Sequence, residues 1–179
     1  DNPTNDFTAG PAMSEEDCVK AMAYDMTAVE PGVDLLCLGE MGIANTTSAA
    51  AVSALLFGGS GEDWAGSGTG VEGETLANKK TVINEALALH SNAASDGLEV
   101  LRCVGGMELA AIVGAILAAR MARVPVVLDG FICTAAAATL EASCKGALDH
   151  CIVAHSSAEP GHKALMDKLD PTATVELVE

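Results

Sequence analysis

Three apolar runs in this chain each end in residues able to do chemistry. VDLLCL runs into Gly39-Glu40-Met41-Gly42, PVVL into Asp129-Gly130-Phe131, and CIVA into His155-Ser156-Ser157. In an open α/β sheet, ligands bind outside the carboxyl ends of the strands. Three such endings on one edge make a plausible pocket.

The first turn continues into Asn45-Thr46-Thr47 and an alanine-rich segment. A helix beginning there exposes unpaired N–H groups that attract an anion, and Gly39 and Gly42 would let a phosphate approach the backbone. Ordinary N-capping by Asn45 or a threonine fits equally well, and both readings stay open. No GK[ST] follows and the G-x-G-x-x-G spacing is missing, so this is neither a Walker loop nor a dinucleotide fingerprint. Glu40 would repel a bare phosphate; it suits a hydroxyl or a positively charged ring. Asp129 can face a ligand or cap the next helix. Ser156 and Glu159 have the spacing of a capping box, with Pro160 at home in a first helical turn, which leaves His155 and Ser157 as pocket candidates. His162 reads as a helix-surface residue, and no nucleophile arrangement surrounds Cys133. Lys79 follows the GSGTG loop in a chain with few bases; it is either a solvated helix lysine or a phosphate partner.

These turns need elements to hold them. Ser14 with Glu16 and Asp17 marks the start of a helix through DCVKAMAYDMTAV. VDLLCL reads as a strand buried on both faces, with Cys37 and Cys151 as small buried hydrophobes. A helix is expected from about Thr46 to Leu56, and residues 59–73 form a glycine-rich loop. TLANKKTVINEALALH, GLEVLRCV, GGMELAAIVGAILAARMA and FICTAAAATLEAS carry helical patterns. PVVLDG and DHCIVAH are strand-like, and a last helix covers about Glu159 to Leu169. The alternation predicts one α/β domain over residues 1–179: three-layer, with a mainly parallel sheet and helices on both faces.

Composition narrows the partners. Half of the 179 residues are hydrophobic and 3% aromatic, so the core is aliphatic and alanine-rich. A net charge of −16 argues against nucleic acid and anionic membranes as partners. The six cysteines show no CxxC pair and read as reduced thiols, with no metal site. DNPTNDFTAGPAMSEED has no signal-peptide pattern, and LAAIVGAILAA is shorter than the ~18 residues that span a bilayer. A soluble, cytoplasmic protein is expected.

GEMGIANTTSAAA, GSGTG with L-A-x-K close behind, GGMELAAIVGAILAAR, VPVVLDGF and AHSSAEPGH occur in this order. Together they resemble the nicotinate-nucleotide–dimethylbenzimidazole phosphoribosyltransferase family, from FTAGPAMSEED to about Leu169. The resemblance implies a Rossmann-like large domain, a small helical domain built from the chain ends, and a homodimer. It implies transfer of 5-phosphoribose from nicotinate mononucleotide to 5,6-dimethylbenzimidazole in cobalamin lower-ligand synthesis, with no cofactor. Carried onto matching positions, it assigns catalysis to Glu40. It places Gly39, Gly42, Asn45 and Thr46 at the ligand, Lys79 on the 5′-phosphate, Gly105-Gly106 close to the ligand, and Asp129, Gly130 and Ser157 at the ribose.

The sequence departs from the family in two places. The general-base glutamate of a later L-G-E-G-[ST]-G segment is absent, since MDKL continues as DPTATVELVE; neither Glu176 nor Glu179 stands in that motif. The N-terminal part of the benzimidazole pocket and most of the small helical domain are also missing. The chain is therefore expected to be the central part of a longer enzyme, or a shortened relative, and impaired in transfer. A noncatalytic domain binding a nucleotide or aromatic base, and a transferase with another base acceptor, are the alternatives.

Overall fold

The computed structural model describes residues 3–68, 70 and 72–169. Glu176 and Glu179 lie outside the described residues. Three short strands, β1 (Leu36–Leu38), β2 (Val126–Leu128) and β3 (Cys151–Val153), form a parallel sheet in the order β1-β2-β3. Leu36 is level with Val126 and Cys151, and Leu38 with Leu128 and Val153. The parallel pairing places all three carboxyl ends on one edge, where the candidate turns begin.

Eight α-helices accompany this sheet among the described residues: α1 (Glu15–Met26), α2 (Asn45–Phe57), α3 (Gly61–Trp64), α4 (Gly73–His90), α5 (Gly97–Val104), α6 (Met107–Ala122), α7 (Gly130–Ser143) and α8 (Pro160–Leu169). The result is a Rossmann-like α/β fold, mostly helical. α1 begins where expected, because the Ser14 hydroxyl accepts the Asp17 N–H at 3.1 Å. It ends at Met26, short of the expected Val29. The glycine-rich stretch 59–73 is not loop throughout. α3 forms within it, held by a reciprocal Ser60–Asp63 cap, and buries Trp64, whose indole N–H donates to the Gly58 carbonyl at 2.8 Å.

Small residues let the helices approach closely. Ala49–Ala51 on α2 and Ala135–Ala138 on α7 have no exposed surface. A Cβ on Gly114 of α6 would lie 1.9 Å from the Met22 carbonyl oxygen of α1, and one on Gly97 of α5 would lie 2.0 Å from the Thr139 carbonyl oxygen of α7. Side-chain bonds add to this packing. Arg102 grips Glu99 through Nε (2.8 Å) and Nη2 (2.5 Å), and its Nη1 donates to the Met13 carbonyl at 3.2 Å, pinning the N-terminal segment to α5.

The strand burial differs from expectation. β1 is an edge strand, not one buried on both faces: Leu36 and Leu38 are half-buried and Cys37 is exposed. Side chains alternate along a strand, so Cys37 shares the opposite face with its level partners Val127 and Ile152. Ile152 is 37% exposed, and that face lacks a cover at these positions among the described residues. Cys151 is buried as expected, and burial pushes its thiol up to about 12.

Candidate active site

β1 ends at Gly39, and the backbone there lies against the neighbouring strand end. The Asp129 N–H donates to the Leu38 carbonyl at 2.9 Å, and a Cβ on Gly39 would stand 3.4 Å from Asp129 Oδ2. Glu40 follows and turns its carboxylate back into its own loop. Oε2 accepts the Gly42 N–H at 2.6 Å and also the Asn45 side-chain amide. Oε1 has no protein donor among the described residues.

Helix α2 starts one residue earlier than expected, and neither Asn45 nor a threonine caps it. Its N-cap is Ala44, held at φ 67° with no side-chain cap bond. That left-handed backbone is costly for alanine. The Thr47 N–H turns back onto the Ala44 carbonyl at 3.1 Å, while those of Asn45 and Thr46 have no partner among the described residues. They border a cavity of about 300 Å³ lined by Gly42, Thr46, Thr47, Gly68, Asn78 and Lys79, among others.

Lys79 is not a solvated helix lysine: it is 9% exposed. Its ammonium donates to Thr46 Oγ1 at 2.9 Å and to the Gly66 carbonyl at 2.9 Å. Burial lowers its pKa from the ordinary lysine value, and Glu159 opposes that shift. Gly68, at φ 53°, brings the loop over this cation; a Cβ there would meet Thr46 Oγ1 at 3.0 Å. A cation, a hydroxyl and a helix N-terminus thus converge on one small concavity.

Gly105 and Gly106 form the corner between α5 and α6. The Gly105 N–H closes α5 on the Leu101 carbonyl, and Gly106 begins α6. Gly106 lines a neighbouring cavity of about 490 Å³ together with Ile43, Asn45, Ser48 and Glu108. Asn45 borders both cavities.

The β2 and β3 ends meet through histidines. Asp129 stands at the N-cap of α7 without capping it. Its Oδ1 lies 3.3 Å from His155 Nδ1 instead. Gly130, at φ 69°, turns the chain into α7. Ser157 donates its N–H to His162 Nδ1 at 3.0 Å, with its hydroxyl oxygen also 3.0 Å away. Ser156 caps nothing, because α8 starts at Pro160 and places Glu159 immediately before it.

His162 is fully buried, contrary to the helix-surface expectation. It lies three residues before buried Leu165 and seven before Leu169, on the same stripe of α8. That spacing was the signal available in the sequence. Burial lowers its pKa to about 4, with His155 adding to the shift, so the ring is neutral at physiological pH. Thr134, a buried hydroxyl bonded to the His162 ring, carried no comparable signal. Cys133 is inert as expected: it is buried against the Leu38 carbonyl, and desolvation pushes its thiol to about 12.

The fold and these turns define a class, an α/β domain with a buried lysine beside a helix start and two carboxylates at the strand ends. Comparisons narrow it. The model of the DBI_PRT family, described as phosphoribosyltransferase, matches residues 1–178, and the chain belongs to this family. It is 55% identical over 177 residues to the nicotinate-nucleotide–dimethylbenzimidazole phosphoribosyltransferase of Allorhizobium ampelinum, covering 99% of this chain and 52% of the relative. The protein of that name from a Ruegeria species is 56% identical over the same length, with the same coverage. The crystal structure of CobT from Thermus thermophilus superposes with a TM-score of 0.87 at 38% identity, covering 98% of this chain and 53% of that one. The chain spans about half the length of the curated relatives it matches. No described helix is long and apolar enough to cross a membrane.

Proposed function

We propose that this domain holds the phosphoribosyl half of a transferase site, taking nicotinate mononucleotide as donor and 5,6-dimethylbenzimidazole as acceptor. The observation that carries it is the Lys79 ammonium, buried between Thr46 and Gly66 at the open start of α2. The 5′-phosphate would take the third ammonium proton and the first α2 amides. Gly42 and Gly106 would lie close to the ligand, with Asp129, Gly130 and Ser157 toward the ribose.

In the reaction, the bond from ribose C1′ to the pyridinium nitrogen breaks and its electron pair leaves with nicotinate. A benzimidazole nitrogen forms the new bond at C1′ and loses its proton to a base, giving α-ribazole 5′-phosphate. Positive charge grows at C1′ as the leaving group departs. Glu40 Oε1 and the Asp129 carboxylate are the negative groups placed to stabilise it.

The family resemblance puts the proton-accepting glutamate in an L-G-E-G-[ST]-G segment that residues 1–179 do not contain. The 179-residue chain therefore binds nicotinate mononucleotide but transfers poorly by itself. Residues 1–179 act as one domain, and a cytoplasmic homodimer belongs to the same reading. Calorimetry with nicotinate mononucleotide, paired with chromatography for α-ribazole 5′-phosphate, tests it. Binding with little product is expected; absence of binding refutes the site, and efficient product formation refutes the impairment.

A further inference from the structure

Buried at the junction of α7 and α8 is a chain of hydrogen bonds that the proposed chemistry does not use. Ser157 N–H donates to His162 Nδ1 at 3.0 Å. A neutral imidazole whose Nδ1 accepts carries its proton on Nε2. That proton points at Thr134 Oγ1, 3.0 Å away. The threonine hydroxyl in turn donates to the Gly130 carbonyl at 2.7 Å. The relay has one direction, Nε2–H to Thr134 to Gly130, and both of its side chains have no exposed surface. It joins two strand-end turns that share no covalent neighbour.

We infer that His162 is a positioning residue: seated against Thr134, its Nδ1 holds the Ser157 amide in place, and through that amide it orients the ribose end of the ligand. This rests on the phosphoribosyl reading above. Nδ1 has one lone pair, and the Ser157 N–H occupies it. The Ser157 hydroxyl proton is thereby available to a ligand oxygen. The rings facing His162 are Phe131, with centroids 6.2 Å apart, and His155, at 6.4 Å; His155 carries Asp129 beside it. The imidazole thus touches the β2 and β3 turns at once without meeting solvent.

Two substitutions separate its two bonds. His162→Asn places an amide oxygen near the Nδ1 position and keeps the acceptor for Ser157. His162→Gln places an amide nitrogen near Nε2, keeps the donor to Thr134 and loses that acceptor. Calorimetry of the 179-residue chain with nicotinate mononucleotide is expected to show Gln weakening affinity about tenfold or more, the value of one lost hydrogen bond, and Asn staying within about threefold. Ser157 amide exchange should be fast in the Gln variant and protected in Asn. Equal weakening by both, in step with lost stability in urea, overturns the inference.

A wild-type chain that binds no nicotinate mononucleotide overturns the phosphoribosyl reading and, with it, the ligand-orienting role. The Ser157 exchange pattern still decides separately whether His162 holds that amide. Should either variant fail to fold, the ¹⁵N shifts of the wild-type ring report on the same relay. A pyridine-like Nδ1 and a pyrrole-like Nε2 support it, and the opposite tautomer refutes it.

Discussion

Replacing Lys79 with methionine removes one charge from the proposed phosphate site while keeping an unbranched side chain of similar length. Two of the three ammonium donors are already committed, to Thr46 Oγ1 and the Gly66 carbonyl, each at 2.9 Å. The third has no partner among the described residues, and the proposed site gives it to a phosphate oxygen. A charge-assisted hydrogen bond contributes about 1.5–3 kcal/mol, so affinity for nicotinate mononucleotide should fall roughly 10- to 150-fold. Stability should fall less, by about 1–2 kcal/mol, because the variant sheds a desolvated charge but leaves a half-buried carboxylate without its cation. That carboxylate is Glu159, whose Oε2 has no hydrogen-bond partner among the described residues and is attracted by Lys79. The assay is calorimetry with two ligands, nicotinate mononucleotide and nicotinate riboside, which lacks the phosphate. Lys79→Met should weaken the first and change the second by less than about threefold. As a control, Lys20→Met removes a lysine that is 67% exposed and paired with Glu16, and should alter neither affinity. Equal weakening of both ligands by Lys79→Met would refute a phosphate role for this lysine.

Acid should act through His162. Its pKa is about 4 in the folded chain and about 6.5 unfolded, so between those values the unfolded state binds more protons and stability rises with pH. Urea midpoints of wild type should climb from pH 4 to 6.5 relative to His162→Asn, by on the order of 2 kcal/mol; a flat difference would contradict the buried neutral ring. Gly114→Ala drives a methyl to 1.9 Å from the Met22 carbonyl and should cost about 2 kcal/mol or more, read as a lowered Tm. Alkylation at neutral pH followed by peptide mapping should label exposed Cys37 and Cys144 well before Cys133 and Cys151, whose thiols are pushed to about 12 by burial. Glu40→Ala should lower stability by about 1 kcal/mol, read as a lower Tm, because the buried Asn45 amide loses its partner, and should speed exchange of the Gly42 amide.

Local signals in the sequence placed the strands and helices because they agree with the tertiary structure. Gly97–Val104 is helical over the same residues that its pattern marks, and the apolar runs ending at Leu38, Leu128 and Val153 form one parallel sheet. Burial was less legible. An apolar run does not say whether its strand is central or at an edge, and β1 is an edge strand that leaves Cys37 uncovered. Capping chemistry did not decide three turns: it was an open alternative at Asn45 and Asp129 and the favoured reading at Ser156, and none of the three caps a helix. In the first two, a long-range or loop partner holds the side chain instead, Glu40 for Asn45 and His155 for Asp129. Lys79 and His162 show the same limit from the other side. Their burial depends on segments far away in sequence, Gly66 over one and Thr134 beside the other, and periodicity along their own helices gives only a hint of it.

The most direct measurement is a titration of the ¹⁵N-labelled 179-residue chain with nicotinate mononucleotide, followed by amide shifts. A site built on the strand ends predicts saturable changes at Gly42, Asn45, Thr46, Thr47, Gly68, Gly106, Gly130 and Ser157. The surface around Pro11, Leu89 and Asn92 should remain still, although it too forms a cavity of about 310 Å³. Changes confined to that second surface, or no saturable change at all, would contradict the phosphoribosyl site.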